Sequence, residues 1–166
     1  MVSVLSDTFW FHKKLYEKNE LTFAIVWIVC MLCVGFLEKV IFRGLLFTAL
    51  AKDNVKSAII ISSVTFGIGH VINLFNGNGM DLVSNLCQIV FAISVGFLLV
   101  TIFYRGGSLI PCILVHSAIN TLGTFADDAD LTPEMHLLHL SILIVITVAY
   151  TLILTRTLPN RRLGRI

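Results

Sequence analysis

The most informative stretch of the 166-residue chain is GFLEKVIFRG, residues 35–44. It places Glu38, Lys39 and Arg43 in a run that carries no other charge from residue 21 to residue 51. On insertion scales, one charged side chain at the centre of a bilayer costs about 2.5–3.5 kcal/mol. Three charges within six residues therefore need a structural reason, and we expect them to line a buried, hydrated site.

The composition around this stretch indicates an integral membrane protein. Hydrophobic residues make up 57% of the chain, charged residues only 13%, and the mean hydropathy is +0.91. Soluble domains carry about 25% charged residues. The net charge of +2 is too small to indicate nucleic acid as a partner, and the length predicts a single domain.

The apolar runs predict the architecture. A helix that spans the hydrocarbon core needs about 20 mostly apolar residues, and in lipid only helices and closed barrels satisfy their own backbone. We therefore predict an all-α, polytopic membrane helix bundle of about five transmembrane helices in one domain, residues 21–157, between an interfacial segment at 1–20 and a basic tail at 158–166. The five runs are residues 21–50, 57–74, 82–104, 108–125 and 135–155.

Basic residues at the ends of the runs predict the orientation. Lys13, Lys14 and Lys18 lie on one side of the membrane, together with an acidic loop that follows the fourth run. Cytoplasmic segments carry an excess of Lys and Arg. The C-terminus is therefore expected in the cytoplasm, because the other side holds seven basic residues: Lys52, Lys56, Arg105, Arg156, Arg161, Arg162 and Arg165.

Glu38 is the first candidate for chemistry. A buried carboxylate beside a histidine can act as a general base. The alternative is an internal ion-pair cluster that fixes helix packing, with Lys39 either inside it or extended toward an interface. In a regular α-helix Glu38 and Arg43 would lie about 140° apart, so we do not expect them on one stripe.

Two further polar positions interrupt other apolar runs. His70 follows Phe66 by four residues, and the two glycines between them allow another helix or a substrate to approach closely. His116 and Asn120 are also four residues apart, on one helix face. Such a pair can donate to an oxyanion, bind a metal or a water, or form an interhelical hydrogen bond. His70 alone is more typical of a hydrogen-bonded core histidine.

Three motifs in this order resemble the CPBP family of membrane proteins. They are E-K-x-x-F-R-G from Glu38, F-x-x-x-H ending at His70, and H-x-x-x-N starting at His116. That family contains the Rce1-type CAAX prenyl proteases and the bacteriocin-processing and immunity proteins, also labelled Abi. The similarity spans roughly residues 35–120 and implies an intramembrane endopeptidase of polytopic helical fold.

The resemblance also implies roles for the site residues. Glu38 and His70 would activate a water molecule, His116 and Asn120 would stabilise the tetrahedral oxyanion, and Arg43 would orient the acidic motif, with Lys39 and Phe66 in support. If a metal were present, zinc would be held by Glu38, His70 and His116. One glutamate and two histidines are a thin set of ligands for catalytic zinc, so we favour a metal-free site.

Lys39 is a departure from the family pattern, which usually has a second glutamate at this position. The exchange raises the charge of the site by two units, and an ammonium group beside Glu38 weakens it as a base. The alternative function is therefore a catalytically degenerate immunity protein or peptide-binding membrane scaffold. A transporter or channel is disfavoured because paired broken helices are missing from the pattern.

Expected partners are a peptide or lipidated protein substrate and the lipid bilayer. The short chain favours peptide processing or immunity in a prokaryotic plasma membrane over maturation of a prenylated CAAX tail.

Overall fold

The computed structural model describes residues 20–75, 82–125 and 132–159. Within these ranges the chain forms five helices and no strand, which confirms the prediction of an all-α bundle. Most of the predicted N-terminal interfacial segment and most of the basic C-terminal tail lie outside the described residues.

Helix α1 carries the charged stretch and changes its geometry in the middle. It is α-helical over Glu20–Lys39, widens to a π-helix over Val40–Phe47 and ends in one α-helical turn over Thr48–Ala51. π-Helical turns inside α-helices are rare and occur frequently at functional sites. The estimate of about 140° between Glu38 and Arg43 assumed a regular helix, and this assumption does not hold after Lys39, where the chain follows a wider turn.

The other four helices begin and end close to the predicted runs. Asn54 caps the second helix by accepting a hydrogen bond from the Ser57 backbone N–H (3.1 Å), and Thr132 caps the fifth in the same way through Met135 (3.3 Å). The second helix continues through a 3₁₀ turn, Gly69–Val71, into a last short piece, Ile72–Phe75. The helices are α2 (Val55–Ile68), α3 (Leu82–Gly106), α4 (Ile110–Phe125) and α5 (Pro133–Thr157).

Three helical segments of the described chain are long and apolar enough to cross a membrane: Ala24–Ala51, Leu82–Gly106 and Leu137–Thr157. The remaining two apolar segments, Val55–Val71 and Ile110–Gly123, are shorter. These two short helices carry the predicted polar positions at residues 70, 116 and 120. Many large apolar side chains point outward, as expected of a bundle surrounded by lipid.

Three pairs of helices make the most extensive contacts around a small core. Helix α3 packs against both α2 and α5, while the first part of α1 packs against α4. The α1–α4 contact is antiparallel and close at Gly35, where the Ser117 hydroxyl donates a hydrogen bond to the Met31 carbonyl (3.0 Å). The core lies toward the α1–α2 connection, where the rings of Phe47 and Phe103 meet at 5.9 Å between centroids.

Apart from the buried Lys39 and Arg43, the basic residues of the described chain gather at one end of the bundle. Arg105 at the end of α3 donates a hydrogen bond to the Leu158 carbonyl at the end of α5 (2.6 Å), so these two helix ends are neighbours. The α1–α2 connection and the first turn of α2, with Lys52 and Lys56 exposed, lie at the same end because Phe47, near the end of α1, packs against Phe103 and Tyr104, near the end of α3.

Two glycines set the distance between α2 and α3. A Cβ atom at Gly67 would lie 2.7 Å from the Ile93 backbone nitrogen, and one at Gly96 would lie 2.7 Å from the Ser63 carbonyl oxygen. Both obstacles are backbone atoms, so only separation of the helices can relieve the clash. Gly67 thus allows a helix to approach, as the sequence suggested.

We predict that Gly67→Ala and Gly96→Ala each lower the stability of the purified protein by about 1–3 kcal/mol through overpacking. Gly123→Ala is the matched control, since no atom lies within 4 Å of its added Cβ. Chemical unfolding in a mild detergent measures the difference. Equal stability of Gly96→Ala and Gly123→Ala would contradict the proposed close contact.

Candidate active site

Glu38 lies between a lysine of its own helix and a histidine of α4. One carboxylate oxygen, Oε2, is 3.5 Å from Lys39 Nζ and 3.3 Å from His116 Nδ1. The Glu38 side chain is 32% exposed, whereas those of Lys39 and His116 are 0% and 3% exposed. The family analogy paired Glu38 with His70, but the histidine that the structure brings to this carboxylate is His116.

Phe66 is the centre of the cluster. Its buried ring contacts the imidazole rings of both His70 and His116, with centroid distances of 5.6 and 5.5 Å, respectively. The ring of Phe42 packs edge-on against it at 5.4 Å. Phe66 therefore joins the motifs of α1, α2 and α4 through apolar and edge-to-face contacts.

Two cations lie over the same ring. Lys39 Nζ is 4.0 Å from the Phe66 centroid and Arg43 Cζ is 4.6 Å from it. Both side chains are fully buried, so Lys39 does not extend to an interface. Cation–π contacts are worth about 2 kcal/mol when desolvated, which offsets part of the cost of burial.

Arg43 also ties α1 to the backbone of α3. Its Nη2 donates a hydrogen bond to the Gly96 carbonyl (2.9 Å), whereas Nε and Nη1 have no hydrogen-bond partner within the described chain. The role of Gly96 could not be predicted from residue types, because a backbone carbonyl that accepts a hydrogen bond has no signature in the sequence.

Hydroxyl groups support the widened part of α1. Ser62 Oγ donates to the Phe42 carbonyl (2.9 Å), and Thr48 Oγ1 donates to the Arg43 carbonyl (3.1 Å). In lipid, a backbone carbonyl without a partner is costly. These two side chains therefore help α1 to keep its irregular geometry next to the charged cluster.

His70 and Asn120 are the remaining predicted site residues, and they lie at the edge of the cluster. His70 lies in the 3₁₀ turn that follows α2, half-buried, with Nδ1 3.4 Å from the Phe66 carbonyl oxygen. Asn120 lies one turn beyond His116 on α4 and is also half-buried. The cluster around Phe66 thus contains Glu38, Lys39, Arg43, His70 and His116, while Asn120 follows on the adjacent turn.

A cavity of about 210 Å³ opens beside Glu38 between α1 and α2. A Cβ at Gly69 would meet no atom within 4 Å, so this glycine keeps one wall open. The wall combines two ionisable groups with an apolar surface. This combination suits a bound peptide, which has a polar backbone and apolar side chains beside it. The lining residues are Glu38, Phe42, Phe66, Gly69, His70 and Ile72.

The described residues do not fit a zinc site. In residues 20–75, 82–125 and 132–159, no group of three His, Cys, Asp or Glu side chains lies close enough to hold a metal ion. A divalent cation at Glu38 would also face the ammonium group of Lys39 at short range, and like charges repel strongly in a low dielectric.

The fold and the cluster together define a helical membrane protein with a carboxylate–histidine site buried within its bundle. The family model for type II CAAX prenyl endopeptidases, Rce1-like, matches residues 20–122, which is more than half of the chain. The chain belongs to this family, as the three motifs indicated. No curated protein and no solved structure matches the chain significantly.

Proposed function

We propose that the protein is an intramembrane endopeptidase that hydrolyses a peptide bond without a metal. The observation that carries this proposal is the Glu38–His116 pair, 3.3 Å apart beside a cavity open between two helices. Ionisable side chains within membrane segments are functional by default, because they are expensive to keep there. Membership of an endopeptidase family supports peptide-bond hydrolysis as the reaction class.

In the proposed reaction, Glu38 takes a proton from a water molecule that enters the cavity. The resulting hydroxide attacks the carbonyl carbon of the peptide bond, and the carbonyl oxygen becomes an oxyanion. The proton held by Glu38 then passes to the leaving amine, so the C–N bond breaks and an acid and an amine are released. General acid–base help of this kind accelerates a reaction by about 10²–10⁴-fold.

We assign the histidines according to their positions. His116 lies next to Glu38 and holds the carboxylate in place for proton transfer. His70 lines the cavity and is placed to donate to the oxyanion, with Asn120 as a second donor and Arg43 holding the charged stretch of α1 against α3. Prearranged donors of this kind stabilise the transition state.

We propose a peptide or a lipidated protein tail as the substrate. The family name points to a prenylated CAAX-type tail, and the large apolar surface of the bundle suits a lipid-modified segment. A bacteriocin-like leader peptide in a prokaryotic plasma membrane is the alternative substrate. The cavity is small enough that only a short piece of the chain enters it.

A library of quenched peptides tests this proposal on the protein purified in detergent and returned to lipid nanodiscs. It contains farnesylated and unmodified C-terminal tails and leader-type peptides. We expect cleavage of at least one class by the native protein. Intact peptides throughout, with monodisperse protein that unfolds cooperatively, would contradict an endopeptidase.

A catalytically degenerate peptide-binding or immunity protein is the second candidate. The observation that favours it is Lys39, whose ammonium group lies 3.5 Å from the proposed base. This candidate predicts that peptides bind but stay intact, and that Lys39→Glu starts cleavage. An active native protein would exclude it.

We also propose that the C-terminus is cytoplasmic, because the exposed basic residues of the described chain share one end of the bundle. We predict that Lys52→Cys, in a background without the native cysteines, reacts with an impermeant maleimide only after cells are opened. Glu134→Cys, at the start of α5, should react in intact cells, since both positions are exposed. The reverse pattern would contradict this orientation.

A further inference from the structure

Lys39 has two groups within reach of its ammonium nitrogen. Nζ lies 4.0 Å from the centre of the Phe66 ring, well inside the limit of about 6 Å for a cation–π contact. It lies 3.5 Å from Glu38 Oε2, whereas a charge-assisted hydrogen bond to a carboxylate measures about 2.7–2.9 Å. Neither Nζ nor Oε2 has a hydrogen-bond partner among the described residues. The ammonium group therefore contacts the ring but does not bond to the carboxylate.

Both contacts of Lys39 lie where water is excluded. Lys39 and Phe66 are buried, and so is Glu38 Oε2, although the rest of the Glu38 side chain is partly exposed at the cavity. Opposite charges attract far more strongly in such surroundings than in water. Without an opposing contact, the ammonium group would close on Oε2. A carboxylate held in a tight ion pair takes a proton from water less readily.

Phe66 is held in place independently of Lys39. Three rings meet it edge to face, with centroids 5.4, 5.6 and 5.5 Å away: those of Phe42, His70 and His116. Arg43 also lies over the Phe66 ring (4.6 Å), but its Nη2 is bonded to the backbone of α3 (2.9 Å). Lys39 makes no such hydrogen bond within the described chain. The ring therefore sets the position of the ammonium group.

We propose that Phe66 is a positioning residue that holds the Lys39 ammonium group back from Glu38. The ring acts through Lys39, and it keeps the carboxylate free to take the proton of the attacking water. It thus makes a lysine next to the base compatible with catalysis. This inference rests on the proposed endopeptidase function.

A double-mutant cycle tests the proposal in nanodiscs with one peptide that the native protein cleaves. Phe66→Leu removes the ring and is expected to lower kcat at least tenfold, because the freed ammonium group closes on the base. Lys39→Met then removes the ammonium group. The factor by which Lys39→Met raises kcat should be at least fivefold larger in the Phe66→Leu background than in the native one. Equal factors in the two backgrounds would overturn the proposal.

Phe47→Leu is the matched control for lost packing. This buried ring packs against the rings of Phe103 and Tyr104 at the core of the bundle. Lys39→Met should change kcat in the Phe47→Leu background by the same factor as in the native one. Equal rescue of Phe47→Leu and Phe66→Leu would contradict a specific role of the Phe66 ring. Phe66→Met, whose flexible side chain fills gaps in a core, takes the place of Phe66→Leu if that variant does not fold.

Infrared spectroscopy gives a second test that needs no activity. The carboxylate bands of Glu38 are the difference between protein with isotope-labelled glutamate and its Glu38→Gln variant. We expect these bands to shift in Phe66→Leu, where the ion pair tightens, and the shift to disappear when Lys39→Met is added. Identical bands in the native protein and Phe66→Leu would overturn the proposal. If the native protein cleaves no peptide, the endopeptidase fails, and the spectra alone decide whether the ring holds the ammonium group back.

Discussion

Glu38→Gln is expected to lower kcat/KM for a cleaved peptide by about 10²–10⁴-fold, the usual contribution of a general base. Glutamine has nearly the same size as glutamate but does not accept the proton of the attacking water. The protein should still fold, because the Glu38 side chain is partly exposed at the cavity wall. Initial rates with one quenched peptide measure the effect.

The matched control for this substitution is Glu134→Gln, an exposed glutamate in the first turn of α5. It should leave kcat/KM unchanged. Peptide affinity of Glu38→Gln, measured by polarisation, separates lost chemistry from lost folding. Cleavage at the native rate by Glu38→Gln would remove Glu38 from the proposed mechanism.

His116→Gln is expected to cost more activity than His70→Gln, with a loss of about 10²–10³-fold, within the range for acid–base groups. The reason is position: His116 Nδ1 is 3.3 Å from the Glu38 carboxylate, whereas His70 Nδ1 lies 3.4 Å from a backbone carbonyl and the ring faces the cavity. Steady-state rates of both variants with the same peptide give the order.

His139→Gln serves as the control, since this histidine is exposed on α5. A larger loss in His70→Gln than in His116→Gln would contradict the assignment from the structure. It would restore the roles implied by family resemblance, with His70 as the partner of Glu38.

Much of the fold could be predicted from the apolar runs. Each of the five runs corresponds to one helix, because a segment that must satisfy its backbone in lipid has few alternatives to a helix. The family could be predicted too, since motif order and spacing are properties of the sequence alone. Which helices pack together could not, because every helix of such a bundle is apolar on most of its surface.

The widened turn in α1 shows what the sequence does not contain. Val40–Phe47 contains no proline, its one glycine, Gly44, does not by itself predict a wider turn, and its geometry is supported by Ser62, a residue of another helix. An angle calculated for a regular helix therefore does not apply between Glu38 and Arg43.

The candidate site residues were predicted as a set, but the contacts between them were not. Spacing places His116 and Asn120 on one face of α4 but does not say which helix that face meets. The answer depends on the close contact at Gly35, which brings α4 against α1 and His116 against Glu38. The position of Lys39 over the Phe66 ring could not be predicted either, because it depends on how α1 packs against α2.

In the proposed mechanism, Glu38 directs water to a peptide bond within the membrane. Mass spectrometry of a peptide incubated with the native protein in heavy-oxygen water tests it most directly. We predict a new C-terminus that carries one heavy oxygen atom, formed by the native protein and by Glu134→Gln but not by Glu38→Gln. Equal amounts of the labelled product with Glu38→Gln, or no new terminus with any of the three proteins, would contradict the account.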